Sequence, residues 1–298
     1  MIEADFIAAL RRLPLHPGAR VLADDAAVLD APAQIVLTHD VLVEGVHYLP
    51  DDPPATVAWK LLAVNLSDLA AKGARPLAVL TGHTLRDDDG WDATFVAGLD
   101  AALRHFAVPL LGGDTVSLPA NAPRVLGLTA IGAATCPPPA RSGARAGDVL
   151  WLAGEIGAAG LGLAALRAGR SEPAVAIAAY RTPRPLIAEG QALAPHAHAM
   201  MDVSDGLLID AKRMAAASGL AVTIALDAVR WSAGVEDRLA AATAGDDYAL
   251  LIAAPADAPL PSCARAIGGF ATGAGLSLTD ASRPVALPAR LGWEHRGG

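Results

Sequence analysis

The feature that most limits the folds open to this chain is a stiff break near its middle. Cys136-Pro137-Pro138-Pro139 is followed by Ser142-Gly143-Ala144-Arg145-Ala146-Gly147-Asp148, and on both sides short apolar runs alternate with helix-length stretches. Before the break the pattern predicts strands over 35–37, 77–85, 109–111 and 125–133, with helices over 55–72, stopped by Gly73, and 91–106. After it the pattern predicts strands over 149–153, 221–226 and 248–253 and one ending at Asp202, with helices over 158–167, 174–180, 186–193 and 206–218. Residues from Pro255 onward are too rich in Pro, Gly and Ala to be assigned elements. Such alternation is the mark of an α/β fold, and 298 residues exceed one small domain. Two α/β domains are therefore expected, over 1–137 and 138–298.

Composition narrows the function classes. The hydrophobic fraction is 53% with only 4% aromatic residues, which describes a dense alanine-rich interior. The longest apolar stretch, 149–166, carries Glu155 and is broken by glycines where a membrane span must continue, so no spanning segment is expected. The first residues lack a basic start and apolar stretch, while Ile2, Phe6, Leu10 and Leu13 recur at helical spacing. Cys136 and Cys263 fall outside any CxxC pattern, so neither a disulfide framework nor a zinc site is expected. A cytoplasmic protein with an amphipathic N-terminal helix follows. The net charge of −8 argues against a nucleic-acid groove but admits phosphorylated small molecules bridged by divalent cations.

Aspartates carry the chemistry. They close or follow apolar runs at Asp24-Asp25, Asp40, Asp114 and Asp202 with Asp205, and Asp68 sits inside a helix. Strand ends in α/β folds deliver side chains to a shared cleft, and magnesium takes carboxylates together with substrate phosphates. Each segment also has a plainer reading. Asp24-Asp25 fits a solvated turn, and the stripe Asn65, Asp68, Lys72 fits a wet helix face. Gly112-Gly113 fits a strand-ending turn with positive φ as well as a close backbone approach to phosphate. Ser204 or Asp205 fits a helix cap. Gly157 to Gly162 lacks the Lys-Ser/Thr of a phosphate loop, and no HExxH or GxSxG is present.

Taken in order, the segments resemble the thiamine-monophosphate kinase family of the aminoimidazole ribonucleotide synthetase-like superfamily. The resemblance is carried by Asp24-Asp25-Ala26-Ala27-Val28-Leu29, Thr38-His39-Asp40, Val43-Glu44-Gly45-Val46-His47-Tyr48, the stretch from Ala63 to Ala74, Gly112-Gly113-Asp114-Thr115, Arg141-Ser142-Gly143-Ala144, Asp202-Val203-Ser204-Asp205-Gly206-Leu207 and Gly245-Asp246-Asp247-Tyr248. It implies an N-terminal sheet that pairs with a second subunit in a homodimeric barrel, and a C-terminal α/β domain that completes the site. It also implies transfer of the ATP γ-phosphate to thiamine monophosphate, with several Mg2+ ions. On matching positions, Asp25, Thr38, His39, Asp40, Asp68, Asp114, Asp202 and Asp205 would hold the ions. Gly113, Asp114, Arg141 and Ser204 would meet ATP, and His47, Asp246 and Trp293 thiamine monophosphate. Asp68, Asp114, Asp205 and Arg141 would carry the transfer itself.

Some positions depart from the family pattern. Ala23 and Ala244 each replace a usual Gly and Ala249 a usual Glu, and His39 stands where the family has Thr. An imidazole is not a hard oxygen ligand, so a weakened metal site is expected unless position 39 binds through its carbonyl. A selenophosphate synthetase would want a reactive N-terminal Cys and the hydrogenase maturation factor a C-terminal one; the chain has neither. His39 and the short tail leave a non-catalytic Mg-nucleotide-binding homologue as the rival reading.

Overall fold

A computed structural model describes residues 3–22, 30, 34–86, 90–119 and 121–294. The chain divides into two compact units, one of Met1–Leu69 with Arg75–Ala134 and one of Ala70–Ala74 with Thr135–Gly298.

The first unit opens with helix α1 (Glu3–Leu10) and contains β1 (Ile35–Val43), α2 (Pro54–Ala70), β2 (Ala74–Leu85), α3 (Trp91–Phe106), β3 (Leu110–Ser117) and β4 (Val125–Ala134). Its strands form one sheet in the order β1-β4-β2-β3, with β1 antiparallel to β4 and β2 parallel to β3. The predicted short strands over 35–37 and 109–111 prove to be the first residues of much longer ones. Both continue through polar residues that a hydrophobicity pattern takes for a strand end. Asp40 and Asp114 consequently lie inside strands rather than at their ends.

The alternation along β1 is read directly from exposure. Ile35, Leu37 and Val41 are 40%, 66% and 39% exposed, forming an apolar row on one face of an edge strand. The other face is turned to α2. Behind β2, a polar cluster is sealed inside the unit: Asp92 Oδ1 accepts from Arg124 Nη1 at 2.9 Å and lies 3.1 Å from His83 Nε2, all three side chains at most 1% exposed. The guanidinium also lies 4.0 Å from the centroid of the Trp91 ring.

The second unit contains β5 (Val149–Ala153), α4 (Ala158–Arg167), α5 (Ala174–Arg181), α6 (Ile187–Leu193), β6 (Ala199–Asp202), α7 (Leu207–Ala217), β7 (Leu220–Ala225), α8 (Arg238–Ala242), β8 (Leu250–Ala254), β9 (Ala264–Thr272), β10 (Gly275–Asp280) and β11 (Arg283–Val285). Its seven strands run β11-β10-β7-β9-β5-β8-β6, antiparallel throughout except between β7 and β10. Both faces of the sheet are covered. On β8, Leu251 and Ala253 join the core under α7, while Leu250, Ile252 and Ala254 join a core with Leu186 and Leu193. Coverage on both sides explains why these strands read as continuous apolar runs without alternation. The unassigned stretch after Pro255 supplies β9, β10 and β11, and β9 is central in the sheet. Its glycines are steric: a Cβ on Gly268 would stand 1.9 Å from the Thr223 carbonyl oxygen.

Candidate active site

In the first unit Asp40 and Asp68 meet between β1 and α2. Strand geometry sends Thr38 and Asp40 to one face of β1 and His39 to the other. Thr38 Oγ1 donates to Asp68 Oδ2, and the Asp40 amide donates to Asn65 Oδ1 at 3.0 Å. Asn65 is fully buried and its Nδ2 donates to the Leu61 carbonyl at 2.9 Å. The Asn65–Asp68 stripe is therefore not the wet face of α2 but the face turned to β1. Burial, and then the charge of Asp68, raise the Asp40 carboxyl to about 6. Carboxylates that destabilise one another beside a hydroxyl make an oxygen set that a hard divalent cation would relieve. Among the described residues no group of three His, Cys, Asp or Glu is close enough to form an all-protein cage. Magnesium that keeps waters and substrate phosphates does not need one, so the set fits it.

His39 stands apart from this set. Its Nδ1 lies 2.9 Å from Thr129 Oγ1, directly opposite on β4, on the face that carries Ile35, Leu37 and Val41. The imidazole is thus turned away from Thr38 and Asp40, and only the backbone of position 39 is shared with them. Gly113 and Asp114 are exposed on β3, at the opposite edge of the sheet from β1. With two strands between them, Asp40 and Asp114 are separated by roughly 14 Å across the sheet. Neither Gly112 nor Gly113 has a left-handed φ, so the strand-ending turn is not what requires them. A Cβ on Gly113 would lie 2.1 Å from the Thr81 carbonyl oxygen, and contact with β2 is the reason for glycine there. Asp24 and Asp25 lie outside the described residues.

The turn after β1 positions His47. Its Nδ1 accepts the Val43 amide proton at 3.0 Å, which leaves Nε2 as the protonated nitrogen of the neutral ring. The buried Lys60 donates from Nζ to the His47 carbonyl at 3.1 Å. Glu44 is held by the Arg124 amide at 2.9 Å and by Arg86 Nη1 at 3.2 Å.

In the second unit three distant segments are laced together by backbone hydrogen bonds. The Ser204 carbonyl accepts from the Asp246 amide at 2.8 Å, the Val203 carbonyl from Tyr248 at 2.8 Å and the Asp205 carbonyl from Trp293 at 2.9 Å. Asp202 ends β6, and Ser204, Asp205, Asp246 and Trp293 are gathered about the turn that follows it. Close approach is enforced by glycine: a Cβ on Gly245 would meet the Ser204 carbonyl oxygen at 2.6 Å, and one on Gly292 the Asp205 carbonyl oxygen at 2.5 Å. Gly245, Asp246 and Tyr248 all have left-handed φ, of 79°, 61° and 51°. Backbone of this kind costs energy for the two non-glycine residues and persists where its surroundings over-determine it. Here Tyr248 also donates its hydroxyl to Asp246 Oδ1 at 2.8 Å, fixing that carboxylate. Ser204 does not cap α7; Gly206 is the cap residue, with no side-chain cap bond. Arg141 is exposed on the irregular segment before β5, whose path is fixed by Met200 donating to the Ala140 carbonyl at 3.0 Å.

Sequence reading passed over Asp210, Arg213 and Asp247. Asp210 is 1% exposed, and Arg213 Nη1 reaches both it, at 2.9 Å, and Asp205. The i, i+3 spacing of Asp210 and Arg213 on α7 was the available signal. Asp247 Oδ1 accepts the Gly157 amide proton at 2.7 Å at the start of α4, while its Oδ2 is buried with no hydrogen-bond partner. Burial raises this carboxyl to about 8, so it is neutral at pH 7. A carboxyl with a raised folded pKa stabilises most below its unfolded pKa, and that contribution is lost as pH rises through the folded value. Wild-type stability is therefore expected to fall between about pH 4 and pH 8 by more than that of Asp247→Asn, in denaturant melts across that window. Parallel pH profiles would overturn the assignment.

Comparisons with known proteins agree in family. Residues 23–134 match the AIR synthase related protein N-terminal domain, and residues 145–269 its C-terminal domain. The thiamine-monophosphate kinase of Caulobacter vibrioides is 39% identical over 324 aligned positions, covering 98% of this chain and 90% of that one. The crystal structure of thiamine-monophosphate kinase from Stenotrophomonas maltophilia K279a superposes with a TM-score of 0.79 at 32% identity, covering 94% of this chain and 96% of its own. AaThiL complexed with AMPPCP and TMP gives a TM-score of 0.80 at 28% identity, covering 92% of this chain and 91% of its own.

Proposed function

Since the chain belongs to the thiamine-monophosphate kinase family, we propose that it transfers the γ-phosphate of ATP to thiamine monophosphate, giving thiamine diphosphate and ADP. The carrying observation is the oxygen set of Thr38, Asp40 and Asp68, whose paired carboxylates call for a cation. The complex of a relative with AMPPCP and TMP supports both substrates.

The acceptor is a phosphate oxygen, already ionised at neutral pH, so no general base is required and catalysis reduces to alignment and neutralisation of charge. Mg2+, when bound, would supply that neutralisation. Asp40, Asp68 and Thr38, with Asp25 and the carbonyl of position 39, would hold it at the β1 edge of the first unit, and Asp114 would do so at the opposite edge of the sheet. Asp202 and Asp205 would hold it in the second unit. Arg141 would add a fixed positive charge against the triphosphate, and Gly113, Asp114 and Ser204 would contact ATP. His47, protonated on Nε2, would meet thiamine monophosphate. The cationic thiazolium suits the carboxylate of Asp246, held by Tyr248, and the ring of Trp293, which is 50% exposed.

The working form is a homodimer built on the first unit. Two observations support it: the exposed apolar row Ile35, Leu37 and Val41 on an edge strand, and the placement of Asp40 and Asp114 at opposite edges of the sheet. Leu37→Lys is expected to give monomers in sedimentation analysis, where the wild type sediments as a dimer; a dimeric variant would sink this part. A cytoplasmic location agrees with two free cysteines and with the lack, among the described residues, of any helix long and apolar enough to cross a membrane.

The test is direct. Purified full-length protein with ATP, Mg2+ and thiamine monophosphate is expected to form thiamine diphosphate. Tight nucleotide binding with no product would overturn the kinase reading.

A further inference from the structure

The turn between β6 and α7 has an unusual occupant. Three successive backbone amides, those of Ser204, Asp205 and Gly206, all point at Asp210 Oδ2, at 3.1, 3.0 and 3.2 Å. A concave run of amides of this kind is an anion site, the arrangement that elsewhere cradles phosphate. In this chain the anion is the protein's own carboxylate, contributed from the first turn of the helix that the amides precede. The other oxygen, Oδ1, takes Arg213 Nη1 at 2.9 Å, so the Asp210 carboxylate is bonded on both oxygens while being 1% exposed.

The consequence concerns what the turn can offer outward. Its amides are used up internally, so it cannot bind a phosphate group through them. It presents side chains and carbonyls instead: Ser204 is exposed, Asp205 is partly exposed, and the carbonyls of Val203, Ser204 and Asp205 hold the segments of Tyr248, Asp246 and Trp293. With its amide nest filled, the turn serves cation ligation and substrate positioning.

We propose that Asp210 is a positioning residue for phosphoryl transfer: by filling the amide nest of residues 204–206 it fixes Asp205 for a divalent cation and sets Asp246 and Trp293 for the acceptor. The proposal rests on the kinase reading above for the identity of the reaction, but its geometric core does not. Arg213 balances the charge. Its Nη1 bridges Asp210 and Asp205, so the carboxylate offered to the cation is oriented by the guanidinium that also steadies the nest.

Asp210→Ala and Asp210→Asn separate this role from a general structural one. Asparagine retains a carbonyl oxygen that can accept the same amides, whereas alanine empties the nest. Binding of Mg2+ with AMPPCP is measured by calorimetry on full-length protein below the unfolding temperature of each variant, together with kcat and the KM for thiamine monophosphate. Asp210→Ala is expected to weaken Mg2+ binding and to lower kcat/KM, each by about 10–100-fold, the range typical of residues that orient metal ligands. Asp210→Asn should stay within about fivefold of wild type. A folded Asp210→Ala protein with wild-type Mg2+ affinity and kcat/KM would overturn the proposal, as would an Asp210→Asn protein as damaged as the alanine variant. If Asp210→Ala does not fold, Asp210→Ser replaces it: the hydroxyl is too short to reach all three amides, so the same loss is expected and unchanged Mg2+ binding is the overturning result. A wild-type protein that binds Mg2+ with AMPPCP but forms no thiamine diphosphate would sink the kinase reading, while the calorimetric arm would still decide the role of Asp210.

Discussion

Asp68→Asn is expected to lower kcat/KM for thiamine diphosphate formation by roughly 10²–10³-fold, the rate equivalent of about 3–4 kcal/mol of lost charge neutralisation, with the protein still folded. The substitution keeps the shape of the side chain and an oxygen that can accept from Thr38, so α2 and β1 stay docked. What it removes is one of the charges that face each other across that contact. Asp40 is raised to about 6 by burial first and by Asp68 second; without the charge of Asp68, the Asp40 carboxyl falls back toward its ordinary range. The variant is thus expected to be as stable as wild type or slightly more so, because a repulsion has been removed, and yet to be nearly inactive. Melting temperature and product formation measured on the same preparation check the pairing. A variant that loses stability and activity in parallel would show that Asp68 is a structural contact, and one that keeps its activity would remove the oxygen set of Thr38, Asp40 and Asp68 from the mechanism.

That contrast shows where the sequence was legible. The order of the aspartate segments named the family, and the apolar runs located all four strands of the first unit and all but the last three of the second, because burial on one face or on both leaves a periodic trace. What hydrophobicity could not give was direction. Asn65, Asp68 and Lys72 read as a wet stripe, whereas Asn65 is fully buried against β1; a polar residue that faces a polar site has the same pattern as one that faces water. His39 raised doubt about a metal site only because neighbours in sequence were treated as neighbours in space. One step along a strand reverses the face, and the imidazole is bonded to Thr129 instead. The departure from the family pattern at position 39 therefore falls on the apolar face, and of the two observations that favoured a non-catalytic homologue, the one at His39 loses its force. Asp210 was missed for a related reason. Its partners are backbone amides, which carry no side-chain signature, and only the fold brings them to one oxygen. The strands after Pro255 were illegible because their small residues are chosen for close strand contact, as at Gly268, and not for hydrophobicity.

Arg124→Met is expected to destabilise the first unit by about 3–5 kcal/mol, among the largest single effects on stability in the chain. The guanidinium is fully buried, bonded to Asp92 at 2.9 Å and to the Thr84 carbonyl at 2.8 Å, and lies against the Trp91 ring. Removing it leaves Asp92 as a buried charge beside His83, whose pKa burial lowers. The size of the loss comes from that stranded carboxylate, and the test follows from it. Replacing both members, as in Arg124→Met with Asp92→Leu, should recover most of the stability, because a buried ion pair is expensive to break but cheap to replace by apolar groups of similar volume. Chemical denaturation of the single and double variants measures this; a double variant no more stable than the single one would mean that lost packing against Trp91, not the stranded charge, dominates. The effect should also reach the proposed substrate site. The backbone amide of residue 124, which the substitution keeps, is held by Glu44 in the same turn as His47, so a displaced start of β4 in the single variant is expected to raise the KM for thiamine monophosphate more than that for ATP.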